Sequence, residues 1–323
     1  MVNIVRLGIL NVNPRKPIMP LEFTRRQFAL HLLIITAILI GVVILTKTFP
    51  DTEMIALAFA FSFAWSSGGR RFLLESLPFL ILLVVYKQMR NFADDLTTSQ
   101  INVTNLVHWE ESLFGGTIPA HWVQAHMWNQ FYTPALDVLT NLLYISHFLS
   151  PLVISALLWQ KRRSLYWAFA MGLVALSLAA FATYVLFPAA PPWWATHYGY
   201  IPDQPVTLDH FVASGDELAE GANPVAAMPS LHAAYPTFIA MVAIYVWRKR
   251  GIPVILLPLG VIFATLYLGH HYMIDAIAGV TYATVVFLTV FRWAVGFTAT
   301  HTFFMHQEPV RHPRPQALSE QTK

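Results

Sequence analysis

Eight apolar runs, most of them as long as a bilayer is thick, decide what this chain can fold into. They are Gln27–Thr46, Met54–Ser67, Phe72–Met89, Leu136–Trp159, Ser164–Phe187, Ser230–Trp247, Ile252–Leu268 and Tyr272–Phe291. A helix needs about 17–25 residues to cross a hydrocarbon layer of roughly 30 Å. Met54–Ser67 falls short of that and could equally be a re-entrant or buried piece. Only 11% of residues are charged, against roughly a quarter in soluble domains. The expected fold class is therefore all-α: a polytopic transmembrane helical bundle of about eight spans.

The basic residues give this bundle a direction. If all eight runs cross and the N-terminus is cytoplasmic, Arg6, Arg15, Lys16, Arg25, Arg26, Arg70, Arg71, Lys161-Arg162-Arg163 and Arg248-Lys249-Arg250 all fall inside. Arg292, Arg311, Arg314 and Lys323 join them, leaving only Lys47, Lys87 and Arg90 of 20 basic residues outside. This is the asymmetry that the positive-inside rule predicts. It divides the chain into a cytoplasmic segment (1–26), N-terminal spans (27–90), an outer interfacial cap loop (91–135), a catalytic membrane core (136–297) and a cytoplasmic tail (298–323) expected to be disordered. A second long stretch, Pro188–Pro229, shares the outer face with the cap loop. Both are rich in aromatic and acidic residues, and loops of this length are usually functional or disordered.

Composition also excludes chemistry. There is no cysteine, which removes disulfides, thiolate catalysis and Cys-ligated metals. No basic stretch is long or aromatic-interleaved enough to propose nucleic-acid binding. Met1–Arg26 lacks the apolar core and cleavage site of a signal peptide.

Two histidines stand at span ends: His232 in Met228-Pro229-Ser230-Leu231-His232, and His271, with Asp275 four positions on. Ionisable groups near hydrocarbon persist mainly where they are used or paired. Spacing of i, i+4 puts His271 and Asp275 on one helix face, which suits a nucleophile or base with an orienting carboxylate. His232 then supplies an acid, and the chemistry suggested is phosphoryl transfer on a lipid. His270 also borders the site, but its spacing to Asp275 is less favourable. Asp137, Asn141 and Tyr144 share a face and suit either a polyol headgroup or interhelical hydrogen bonds. His147 is less well aligned with them. Arg90, and after it Lys87, are the candidates to balance phosphate charge, although an interfacial arginine also snorkels to lipid phosphates. Trp193 and Trp194 read as interface anchors. His108, His121, His126, His197 and His210 read as solvated loop residues, and no metal or other cofactor is expected.

Asn223-Pro224-Val225-Ala226-Ala227-Met228-Pro229-Ser230-Leu231-His232 and Tyr267-Leu268-Gly269-His270-His271-Tyr272-Met273-Ile274-Asp275-Ala276-Ile277-Ala278-Gly279 resemble the second and third signature motifs of the type 2 phosphatidic acid phosphatase superfamily. With Phe187-Pro188-Ala189-Ala190-Pro191-Pro192-Trp193 they resemble its inositol phosphorylceramide synthase (inositolphosphotransferase) branch. The likeness spans roughly 136–291 and implies a core of about six spans, working without a metal. It implies that His271 attacks phosphorus or deprotonates the attacking hydroxyl, that Asp275 orients it, that His232 protonates the leaving oxygen, and that Ser230 binds phosphate oxygen. The chain departs from the phosphatase subgroup in carrying Thr265 where that subgroup has arginine, and in lacking its lysine–arginine first motif. This favours a phosphotransferase moving a phospho-headgroup from a phospholipid, phosphatidylinositol by the resemblance, to a lipid hydroxyl such as that of ceramide. The alternatives are a lipid phosphatase on the same residues and a non-enzymatic lipid carrier or flippase. The expected partners are membrane lipids, and the expected location is the plasma membrane with the site at the outer face.

Overall fold

The computed structural model describes residues 24–46, 52–77, 100–128, 133–207 and 226–297. Among them, all regular structure beyond two isolated bridges is helical, as hydrocarbon requires of any chain that must satisfy its own amides. The helices are α1 (Arg25–Thr46), α2 (Thr52–Ala64), α3 (67–77), α4 (Thr104–Leu113), α5 (Pro119–Met127), α6 (Thr133–Lys161), α7 (Arg163–Leu186), α8 (Pro192–His197), α9 (Leu231–Trp247), α10 (Leu256–Tyr267) and α11 (Met273–Val286). After α11 a π-helical turn, Phe287–Phe291, leads into a last helical stretch to residue 297.

Among the described residues, four stretches are long and apolar enough to cross a membrane: Ala135–Lys161, Arg163–Leu186, Leu231–Tyr267 and Met273–Phe297. The third is a hairpin. A 3-10 segment at Arg248–Ile255 reverses the chain, so that α9 and α10 pack side by side. Gly251 is required there, because a Cβ would meet the Ala243 carbonyl oxygen at 2.3 Å. Met54–Ser67 folds as the short helix α2, which lies along α1. Lys87, Arg90 and the end segments 1–23 and 298–323 lie outside the described residues.

One core runs through the spans, with Phe63, Phe72, Trp159, Tyr166, Phe169, Phe238 and Phe291 as its large members. At the basic end Glu75 ties α3 to α6 and α7. It accepts from Trp159 Nε1 at 2.8 Å and from Arg163 Nη1 at 2.6 Å, with the Arg163 guanidinium 4.1 Å above the Trp159 ring.

A second core, at the opposite end, makes the cap a folded layer. Val103, Leu106, Val107, Ile118, Ala190 and Ile201 pack there with Tyr272 and Ile274 from the start of α11. Asn102, Ala189 and Ala226 form two parallel bridges that join the segments entering and leaving the cap. Gln124 on α5 donates to the carbonyls of Thr207 (2.8 Å) and Tyr267 (3.0 Å) and accepts from Thr207 N (3.1 Å). The cap is thereby fastened to the end of α10. Gly269, at φ +78°, turns the chain between α10 and α11 beneath it.

Candidate active site

The site lies where α9 and α11 begin, beneath the cap. Ser230 is the N-cap of α9: its Oγ accepts from Ala233 N at 3.3 Å, the usual role of serine at a helix start. Its own N–H donates to the Asp275 carbonyl at 3.0 Å. Ser230 and Asp275 are both fully buried, and Gly279 lets the two helices meet this closely, the Ser230 carbonyl occupying the space a Cβ would need.

Three side chains form one chain of contacts across that junction. His232 Nδ1 lies 2.9 Å from His271 Nε2, and His271 Nδ1 lies 3.4 Å from Asp275 Oδ2. The same Asp275 oxygen accepts from Tyr272 N at 2.9 Å, which satisfies one of the free amides of the helix start. With Asp275 ionised, the proton of His271 is on Nδ1 and Nε2 is left with a lone pair aimed at His232. That is the arrangement of a base or nucleophile held by its orienting carboxylate. His271 is 5% exposed, so little water competes at the ring.

Aromatic rings close round His232. Tyr144 of α6 stacks on His232 (centroids 4.6 Å, 26° between planes) and on His270 (4.9 Å, 24°). His147, buried on the same helix, meets His232 edge-on at 4.1 Å. Burial, and then the neighbouring His271, hold the His270 imidazole below its usual range. His270 is thus a neutral packing ring, and His271 is the histidine joined to Asp275.

Of the other residues singled out in the sequence, Asp137 is buried and accepts from Tyr267 Oη at 2.7 Å, which ties α6 to the end of α10. Asn141 Nδ2 donates back to the Asp137 carbonyl at 2.8 Å. Tyr144 therefore reaches the two histidines directly, whereas Asp137 and Asn141 brace the helix that carries it. Thr265 is fully buried; its Oγ1 donates to Ile262 O and its carbonyl accepts from His270 N at 2.9 Å. Among the described residues no three His, Asp or Glu stand close enough to share a metal ion.

Two features escaped sequence reasoning. Glu110 on α4 is fully buried and accepts from the amides of Met273 (2.8 Å) and Ile274 (3.0 Å) at the start of α11. An open apolar cleft of about 210 Å³, lined by Trp109, Phe187, Met228, Pro229, Ala278 and Tyr282, lies beside Ser230. The polar atoms nearest it, Thr183 Oγ1 and Tyr282 Oη, are 2.6 Å apart and bond each other, so the wall offers hydrocarbon contact.

The chain matches the family model described as "PAP2 superfamily" over residues 104–289. It is 31% identical to the phosphoinositol dihydroceramide synthase of Bacteroides thetaiotaomicron, covering 66% of this chain and 75% of that protein. It is 27% identical to the inositol phosphorylceramide synthase catalytic subunit AUR1 of Saccharomyces cerevisiae, covering 67% of this chain and 56% of the yeast protein. This chain thus spans little more than half the length of the yeast relative. No solved structure matches.

Proposed function

Since the chain belongs to the PAP2 superfamily, we propose that it is an integral membrane lipid phosphotransferase that moves phosphoinositol from phosphatidylinositol to the hydroxyl of a ceramide-type lipid. The observation that carries the chemistry is the His232–His271–Asp275 contact chain under an aromatic cap. The activities for which the two relatives are named support the headgroup and the acceptor class.

In this reading phosphorus enters between His271 Nε2 and His232, and the resting 2.9 Å contact parts as the headgroup binds. The bond between phosphorus and the diacylglycerol oxygen breaks, and His232 delivers the proton that leaves with diacylglycerol. His271 either attacks phosphorus, the phosphohistidine then passing its phosphoinositol to the acceptor, or takes the acceptor hydroxyl's proton as that oxygen attacks. Both routes conserve one phosphodiester. The imidazolium that forms is stabilised by Asp275, and its charge draws in the long 3.4 Å contact. Ser230 Oγ and the adjoining first-turn amides of α9 face phosphate oxygens, as a helix start favours anions. Asp137, Asn141 and Tyr144 are proposed on the headgroup side, and Lys87 and Arg90 as cations for phosphate.

Thr265 supplies no cation where the phosphatase subgroup has one. A site with fewer charge-assisted contacts holds a dianionic phosphomonoester poorly and suits a monoanionic diester better. No residue of this mechanism asks for a metal. The reading puts the site on the non-cytoplasmic face, with the plasma membrane as the membrane proposed. Its support is the crowding of Lys161, Arg162, Arg163, Arg248, Lys249 and Arg250 at the far end of the spans.

The test is purified protein in mixed micelles. Phosphatidylinositol with ceramide should yield a phosphoinositol sphingolipid and diacylglycerol in equal amounts, and phosphatidic acid should be a poor substrate. Rapid phosphate release from phosphatidic acid, with no acceptor-dependent product from any diester, would establish the phosphatase instead. Lipid movement indifferent to His271→Ala would establish a carrier.

A further inference from the structure

A helix start leaves four amides without partners in its own helix, and at α11 those amides frame the catalytic pair. Tyr272 N is taken by Asp275 itself. The next two, Met273 N and Ile274 N, are taken by the two oxygens of one carboxylate that arrives from the cap 163 residues away, Glu110. His271 precedes this clamp and Asp275 follows it, so the clamp and the His271–Asp275 contact share one turn of backbone.

We propose that Glu110 is a positioning residue: its carboxylate grips both amides at the head of α11 and so sets the register of His271 and Asp275 against His232.

The geometry suits an ionised acceptor. Two N–H groups and the positive end of the helix dipole converge on it, and a carboxylate accepts from both where a carboxamide offers one oxygen and an opposing NH₂. The surroundings resist that charge. Burial, with a smaller push from Asp275, outweighs the downward pull of the two amides and raises the Glu110 carboxyl to about 7. The titratable groups facing it are Asp275 and Tyr272 of α11, with Glu111 beside it on α4. The placement also joins the clamp to substrate. Trp109, the preceding residue on the same helix, lines the cleft beside Pro229 and stacks on Phe187 with centroids 5.9 Å apart. An alkyl chain seated there bears on the helix that grips α11.

This inference rests on the proposed activity only for its rate readout. The experiment compares the full-length wild type with Glu110→Gln and Glu110→Asp in detergent, measuring kcat and KM per folded molecule, the pH–rate profile and the melting temperature against pH. Glu110→Gln should lower kcat by about tenfold or more, as ångström-scale misplacement does, with KM for the donor lipid within about threefold. Its acid limb should lose the step near pH 7. Glu110→Asp keeps the charge on a shorter arm, and should lower kcat while retaining that step. The melting series needs no substrate. The folded-state carboxyl titrates above the unfolded one, so its stability contribution is full at acid pH and is lost as pH rises through about 7. Wild type should therefore lose melting temperature relative to Glu110→Gln between pH 5 and 8.

If wild type shows no transfer while the melting series behaves as stated, the proposed activity fails and the clamp stands. A folded Glu110→Gln with wild-type kcat and pH profile would overturn the clamp. So would variants that lose only yield and melting temperature while kcat per folded molecule is unchanged. Should Glu110→Gln not fold, a folded Glu110→Asp with wild-type kcat overturns it.

Discussion

Gly279→Ala is the smallest change that should separate activity from folding in this protein. A Cβ built at Gly279 would lie 2.2 Å from the Ser230 carbonyl oxygen and 3.3 Å from Ala233 Cβ. Even a close carbon–oxygen contact needs about 3.3 Å, so the start of α9 and the first turns of α11 must part by about 1 Å. The bond from Ser230 N to the Asp275 carbonyl, 3.0 Å long, crosses that junction, and so does the 2.9 Å contact of His232 with His271. Adding about 1 Å takes both beyond hydrogen-bonding range. Misplacement on that scale costs about a hundredfold in rate. Stability should move much less. Overpacking a tight contact costs about 1–3 kcal/mol, while alanine in place of glycine inside a helix returns about 1 kcal/mol. The assay is transfer from phosphatidylinositol to ceramide in mixed micelles, with melting followed on the same preparation. Gly296→Ala is the control, because a Cβ there meets nothing within 4 Å; it should keep full turnover. A Gly279→Ala protein that melts near wild type and retains more than about a third of its turnover would refute the idea that this helix contact sets the site.

Two further outcomes follow from the same geometry. His271→Ala and Asp275→Asn should each reduce turnover by several powers of ten while the protein still inserts and folds, since members of a base–orienter pair act as a unit; more than a tenth of the activity left in His271→Ala would move the role to another ring. Turnover should survive prolonged treatment with EDTA, and a stripped preparation revived only by a divalent ion, at concentrations too low to screen the headgroup, would reject the metal-free route.

The long apolar helices and the histidine–aspartate pair were legible because each leaves a local mark. An apolar run of span length is visible on its own, and the runs from Leu136 and Ser164 reappear as α6 and α7 to within a few residues. A histidine at the edge of such a run stands out because hydrocarbon tolerates it so poorly. The i, i+4 spacing tied Asp275 to His271 rather than to His270, and the structure joins that pair. Tyr144 was legible only in part. Helical spacing grouped it with Asp137 and Asn141, but the face it shares with them says nothing of what lies opposite. In the fold it covers His232, while Asp137 turns to Tyr267.

The cap shows where this kind of reading stops. In the sequence Glu110 is one of many acidic residues in a long aromatic loop, and an acidic residue in a loop beside a membrane is expected to face water. Its fate is decided by α11, whose free amides hold the carboxylate inside an apolar core, and α11 begins more than 160 residues later. Neither segment carries a sign of the other. Helix ends, however, are readable, and each poses a definite question: which atoms satisfy its first amides? For α9 the answer is local, Ser230, and the motif displays it. For α11 the local answer covers Tyr272 N alone, through Asp275. Asp275 meets that amide and His271 through one oxygen, Oδ2, and the amides of Met273 and Ile274 bond to another segment. They are met from outside the motif, and a buried carboxylate from the cap meets the two at once. The need for an acceptor was therefore implicit in the third motif, although the identity of Glu110 was not.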